Sequence, residues 1–284
     1  MNGLIATDLD RTLIFSRHAM GEEQFASLDP VCVEIYNGGP LSYLTPAARN
    51  LLVALASQAP VVPVTTRTPT QFTRIELPGS PFRHAVVSSG GRILTDGTDD
   101  PAWRAEVDRR VAASAAGLAE VVAALEARID ESWVTSMRTA DDLFCYIVVD
   151  LDRQPDDFLP DWSQWCAERA WTVSQQGRKI YALPQVVTKS AALAEVRARL
   201  VADGTLADDA PVYAAGDGRL DIDLLEYADA AIRPRHGELE QIGWTQPHLT
   251  VTDTTGALAG EEILEWFTAR IADAAVIGNA KIEV

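Results

Sequence analysis

Two aspartates, Asp8 and Asp10, stand two residues apart at the end of a short apolar run, Gly3 to Thr7. In an extended segment residues i and i+2 point the same way, so both carboxylates converge on one space. Carboxylates placed like this repel each other and need a cation or a shared proton. A hard, oxygen-seeking ion such as Mg²⁺ meets that need. With such an ion present, one carboxylate can act as a nucleophile and the other as an acid and base. Two surface acids on a solvated loop would leave the same pattern, so the pair alone decides nothing.

Three later features share its placement at the ends of apolar segments. Thr65 closes the run from Val61; its hydroxyl suits either a phosphoryl oxygen or a helix cap. Lys189 opens a helix, where an ammonium opposes the macrodipole. As a point charge it suits phosphate, although a plain surface lysine would read the same way. Gly216-Asp217-Gly218-Arg219-Leu220-Asp221 forms a second acidic cluster. Its glycines let the backbone turn sharply and approach a ligand. It is not a dinucleotide fingerprint, because the third glycine is missing.

The elements that must hold these residues alternate. Buried strands are expected at 3–7, 61–65, 85–88 and 211–215, with helices from Thr45-Pro46, at 188–202, at 220–227 and at 257–275. Strand–helix alternation predicts a parallel α/β sheet, whose ligands sit beyond the carboxyl ends of the strands. The stretch 13–44 reads as irregular, with turns at Asp29-Pro30 and Asn37-Gly38-Gly39-Pro40. In the middle the pattern changes to one long helix (100–129), strands at 133–138 and 144–149, a helix at 161–169, and strands at 171–174 and 179–183. That is an α+β unit with its own core. The expected division is a core of 1–79 and 185–284 and an inserted unit of 80–184.

In their order along the chain, Asp-x-Asp-x-Thr, Thr65, Lys189 and Gly-Asp-x-x-x-Asp resemble the four motifs of the haloacid dehalogenase superfamily of phosphohydrolases. The resemblance covers nearly the whole chain. It implies a Rossmann-like parallel-sheet core with an inserted α+β cap domain. It also implies Asp8 as nucleophile, Asp10 as acid/base, and Thr65 and Lys189 as phosphate-binding groups. Mg²⁺ would be held by Asp8, Asp10 (through its backbone carbonyl), Asp217 and Asp221. A cap between Thr65 and Lys189 is a type-two cap, similar to those of the Cof-like and sucrose-phosphatase-like branches. Those branches imply a small phosphorylated metabolite as substrate, a sugar phosphate foremost. Arg67, Ser89 and Gly90 are the first substrate-contact candidates; Arg138, Arg178, Lys179 and Trp133 are further candidates in the cap. The sequence departs from the pattern at Arg11 and Ser190, where Gly is common, and at Ser89 and Leu220, where Asn is usual. Alternatives are a phosphomutase or phosphotransferase of the same superfamily, a phospho-accepting signalling domain, and a non-catalytic binding protein.

Bulk properties narrow the classes. The chain has 284 residues, 47% hydrophobic and 23% charged, as in globular proteins. Its net charge of −17 argues against nucleic acid and anionic membrane surfaces as partners. It also means that a phosphate site must concentrate its positive charge locally. Three cysteines without metal-ligand spacing read as reduced thiols. No signal-peptide pattern or membrane-length apolar run is seen, so the expectation is a cytoplasmic protein.

Overall fold

The computed structural model describes Met1 and residues 3–282, with side chains through residue 276. The chain begins with β1 (Leu4–Thr7), α1 (Arg17–Met20), α2 (Glu22–Ser27), β2 (Val31–Tyr36), β3 (Gly39–Leu44), α3 (Pro46–Ala56), β4 (Val61–Pro63) and α4 (Pro69–Phe72). It continues with β5 (His84–Val87), β6 (Arg92–Thr95), β7 (Thr98–Asp99), α5 (Pro101–Ser114), α6 (Leu118–Glu126), β8 (Val134–Ala140), β9 (Phe144–Val149), α7 (Phe158–Ala167), β10 (Trp171–Gln176) and β11 (Lys179–Pro184). It ends with α8 (Lys189–Ala202), β12 (Val212–Ala215), α9 (Ile222–Tyr227), β13 (Ala230–Arg233), α10 (Glu238–Gln241), β14 (Leu249–Val251) and α11 (Ala257–Ile282).

The expected parallel sheet is present, in the order β14-β13-β12-β1-β4. All four residues of β1 are buried, as a strand covered on both faces requires. Chain order changes direction around β1: β4 lies on one side and β12 on the other. Such a switch point opens a crevice beyond the strand ends. Thr7 pairs with Pro63 and with Ala215. Asp8, Val64 and Gly216 are therefore level, and Thr65 and Asp217 each lie one residue further out.

A second sheet, antiparallel and ordered β10-β11-β9-β8, carries the α+β unit. Cys145, Ile147, Val149, Ile180 and Ala182 are buried on one of its faces, with Trp162 and Trp171 in the same core. The alternate residues turn the other way, and the site lies beneath them.

Four sequence expectations change. The stretch 13–44 is not irregular: β2 and β3 form a hairpin, turned at Asn37 and Gly38, both with positive φ. Asn-Gly is a preferred pair for such a turn. The long helix expected at 100–129 breaks into α5 and α6, with Ala115 extended. There the backbone bonds elsewhere: Ala116 N–H donates to Arg169 O, and Trp171 Nε1 donates to Ala116 O. The helix expected from 161 begins at Phe158, because Pro160 sits in the first turn, where its missing N–H costs nothing. Trp133 packs edge-on against Phe158 at 4.6 Å in the core of the second unit and offers no stacking surface.

A third sheet, β5-β6-β7, lies against the edge of the first: Thr65 N–H donates to Val86 O, and Val64 bridges Val86 in parallel. Cys32 is exposed, whereas Cys145 and Cys166 are buried, and burial pushes both of those thiols up to about 12. Among the described residues, no helix is long and apolar enough to cross a membrane.

Candidate active site

The loop after β1 is tight. Leu13 and Ile14 N–H both donate to Leu9 O, and Arg11 takes a φ of 64° to close the turn. That left-handed conformation favours glycine, which accounts for the residue that the family pattern prefers there. The Arg11 side chain compensates by reaching Asp217 (Nε to Oδ2, 3.2 Å). Ser89 is also left-handed (φ 58°), a conformation in which Asn is enriched.

Asp8, Asp217 and Asp221 are all buried and can bring carboxylate oxygens within 4.8 Å of one another. Lys189 Nζ lies between them, 2.7 Å from Asp8 Oδ1 and bonded to Asp221 Oδ1. Thr12 Oγ1 donates to Asp8 Oδ2 at 3.3 Å. Asp221 Oδ2 accepts from the backbone N–H groups of Asp217 and Gly218.

Close packing sets this arrangement. A Cβ at Gly216 would overlap the Asp221 side chain, and one at Gly90 would overlap the Thr188 carbonyl. Gly90 thus lets the start of α8 sit low enough to bury Lys189. Its own carbonyl accepts from Trp103 Nε1 at 2.9 Å. Ser190 N–H donates to Asp223 Oδ2 at 2.6 Å, which anchors the same helix end.

One buried ammonium and the partly exposed Arg11 guanidinium do not balance three buried carboxylates. Burial, with Asp221 and Asp10 nearby, pushes Asp8 up to about 7 against the pull of Lys189. Asp217 is raised well above the usual carboxylate range by burial and by Asp8 and Asp221. The donor set is all oxygen, buried and short of positive charge. It therefore fits a hard divalent cation.

Asp10 faces another way. Its carboxylate is gripped at both oxygens by Arg67, at 2.7 and 2.8 Å. Burial pushes the Asp10 carboxyl up, but the Arg67 guanidinium outweighs that and holds it below its ordinary value. The hairpin orients Arg67 in turn: buried Glu34 accepts from Arg67 Nη1 at 2.9 Å, from Ser42 Oγ at 2.7 Å and from Arg74.

Thr65 is fully buried, and its hydroxyl oxygen accepts from Arg67 N–H at 3.2 Å. Its own proton remains available to donate. The structure thus brings Asp8, Lys189, Asp217 and Asp221 into one cluster, with Thr65 at the next strand tip. Asp10 and Arg67 stand as a pair beside it. Ser89 and Gly90 support Thr65 and the α8 start from behind: Ser89 N–H donates to Thr65 O.

A cavity of about 260 Å³ opens at Asp10 and Arg67. Its other walls come from the hairpin (Tyr36, Leu41) and from the second sheet, including Arg138, Tyr146, Lys179 and Tyr181. Arg178 is exposed and is not among the lining residues. The second unit meets the first where Glu238, itself accepting from Arg219 N–H (2.8 Å), accepts from Ser174 Oγ (2.7 Å).

Glu34, Ser42 and Arg74 escaped the sequence reading. The usable signal was a lone carboxylate inside the β-rich run Val31–Tyr36, beside an Asn-Gly turn.

No family model matches the chain, and no curated protein matches it. Solved structures do. A sucrose-phosphatase from Synechocystis sp. PCC6803, in complex with sucrose and phosphate, superposes with a TM-score of 0.61 at 15% identity, over 94% of this chain and 98% of that one. The C-terminal domain of a C. albicans trehalose-6-phosphate phosphatase gives 0.58 at 12%, over 94% and 93%. A haloacid dehalogenase-like hydrolase from B. subtilis gives 0.53 at 15%, over 93% and 99%. The order of strands around β1, the inserted antiparallel sheet and these superpositions agree: this chain has the fold of the haloacid dehalogenase superfamily phosphatases, core and cap together.

Proposed function

We propose that the chain is a Mg²⁺-dependent phosphohydrolase acting on a small phosphorylated metabolite, a sugar phosphate foremost, with Asp8 as nucleophile. The observation that carries this reading is the buried cluster of Asp8, Asp217 and Asp221 around Lys189 at the sheet's switch point. The folds of the sucrose-phosphatase and the trehalose-phosphate phosphatase support the substrate class. In this reading the cap is the antiparallel sheet with its helices, and β5 to β7 stay with the core.

Asp8, Asp217 and Asp221, with the Asp10 carbonyl, would hold the metal. When bound, it supplies positive charge that neutralises the carboxylates and the phosphoryl oxygens. The chain's own groups do the rest. A carboxylate oxygen of Asp8 attacks phosphorus in line with the leaving oxygen, forming an aspartyl-phosphate. Lys189 and the Thr65 hydroxyl hold the transferring phosphoryl oxygens, which is where stabilisation of a loose transition state acts. To give a proton to the departing alcohol oxygen, Asp10 must first leave Arg67 and take a proton from solvent; it then takes one back from the water that cleaves the aspartyl-phosphate. Gripped by Arg67, Asp10 is in its ionised form here, the form needed for the second step.

The test is phosphate release from a set of phosphorylated metabolites, with and without Mg²⁺. Turnover is expected only with the metal, and Asp8→Asn should lower it by at least roughly 10³-fold, as loss of a nucleophile does. Equal turnover in Asp8→Asn would overturn the assignment.

A further inference from the structure

Alternation along the cap strands decides which side chains meet the substrate. Ser136, Arg138 and Ala140 on β8, Phe144, Tyr146 and Val148 on β9, and Lys179 and Tyr181 on β11 all line the cavity. Each set is spaced by two, so all belong to one face. Register aligns them in rows across the sheet: Arg138 pairs with Tyr146, which pairs with Tyr181; Ser136 pairs with Val148, which pairs with Lys179. The opposite face is the apolar core of the cap.

The charge on this roof is unbalanced. Four cations line the cavity: Arg67, Arg74, Arg138 and Lys179. Asp10 lines it as well, and Glu34 lies behind it. Both carboxylates are already engaged, Asp10 by Arg67 and Glu34 by Arg67 and Arg74. Among the described residues, neither Arg138 nor Lys179 makes an ion pair; Lys179 lies near Tyr181, the Tyr146 ring at 5.8 Å and, at longer range, the Arg67-bound carboxylate of Asp10. Two cations without an ion pair on one face of a chain with net charge −17 attract an anion.

The phosphoryl group does not meet this need, because its partners are at the sheet tips. We propose that the leaving group itself carries a second anionic group, a carboxylate or a second phosphate, seated on Arg138 and Lys179. Its carbon skeleton lies against Tyr146, Tyr36 and Leu41. The small volume restricts it to a compact metabolite. The proposal rests on the phosphohydrolase reading for the position of the phosphoryl group.

Two matched pairs of esters test it: glycerol 3-phosphate against 3-phosphoglycerate, and fructose 6-phosphate against fructose 1,6-bisphosphate. Each is titrated calorimetrically onto Asp8→Asn protein in Mg²⁺, so binding is read without turnover. In at least one pair the anionic member should bind at least about tenfold more tightly. A preference in the first pair alone assigns a carboxylate, and one in the second alone assigns a phosphate. Adding Arg138→Gln or Lys179→Met should shrink that preference at least threefold, and Arg138→Lys should restore part of it. Equal affinities within both pairs, binding of neither member, or a preference that both variants leave intact would overturn the proposal. Failure of the phosphohydrolase reading shows separately, as absence of Mg²⁺-dependent phosphate release by the unmodified protein from any of the four esters.

Discussion

At the sheet tips, three buried carboxylates face one buried ammonium, Lys189, and the partly exposed guanidinium of Arg11. On the cap face of the neighbouring cavity, Arg138 and Lys179 make no ion pair among the described residues. The two regions carry opposite imbalances and sit in different surroundings. The first is inside the protein, where a charge without its counterpart is costly and small displacements matter. The second faces a cavity, where water can solvate the cations until a ligand arrives. Buried charge couples to folding, and cavity charge couples to binding. The contrast gives each region its own expected response to mutation and pH.

The largest response should come from Lys189→Met. It leaves Asp8 and Asp221 buried against each other without a cation. Breaking a buried pair in this way costs about 3–5 kcal/mol. Urea unfolding without metal should show that loss, and added Mg²⁺ should return part of it. A loss under about 1 kcal/mol would mean that the cluster is already relieved by water.

The next response is to pH. Burial raises the Asp8 carboxyl to about 7, above its ordinary value of 3.8. The folded state therefore binds this proton more tightly than the unfolded state. Stability from this group is fully present below about pH 4 and is lost as pH rises through about 7, at up to about 1.4 kcal/mol per unit. A bound cation reverses the preference by favouring the ionised form. The gain in Tm on adding Mg²⁺ should accordingly be larger at pH 8 than at pH 5.5. Asp8→Asn should flatten the metal-free pH dependence. Equal Mg²⁺ gains at both pH values would separate the metal from these carboxylates.

The smallest response should be in the stability of Arg138→Gln. Its side chain is exposed and makes no ion pair among the described residues, so the change should stay within about 0.5 kcal/mol. Thermal unfolding checks this. A larger loss would show that Arg138 is structural and would weaken the contrast between the two regions.

Much of the core site was legible because its residues follow strands. Asp8, Thr65 and Asp217 each stand just past an apolar run, and parallel register brings such ends together. Lys189 was legible because an ammonium at a helix start is electrostatically misplaced without partners. The hairpin was not legible, although its turn was, because Val31–Tyr36 and Gly39–Leu44 alternate only imperfectly around a register shift. Glu34 stayed hidden with it.

By itself, then, the sequence determined the strand–helix alternation of a parallel α/β sheet, the four motif positions and the presence of an inserted α+β unit. These depend on local periodicity and on residue types at segment ends. Only the tertiary structure decided that Asp10 turns to Arg67 while Asp8 turns to Lys189. It alone closed the hairpin over the cavity and placed Arg138 and Lys179, 41 positions apart in the chain, on one face. Those outcomes depend on strand pairing and on competition among charges that are distant in sequence, which no local pattern encodes.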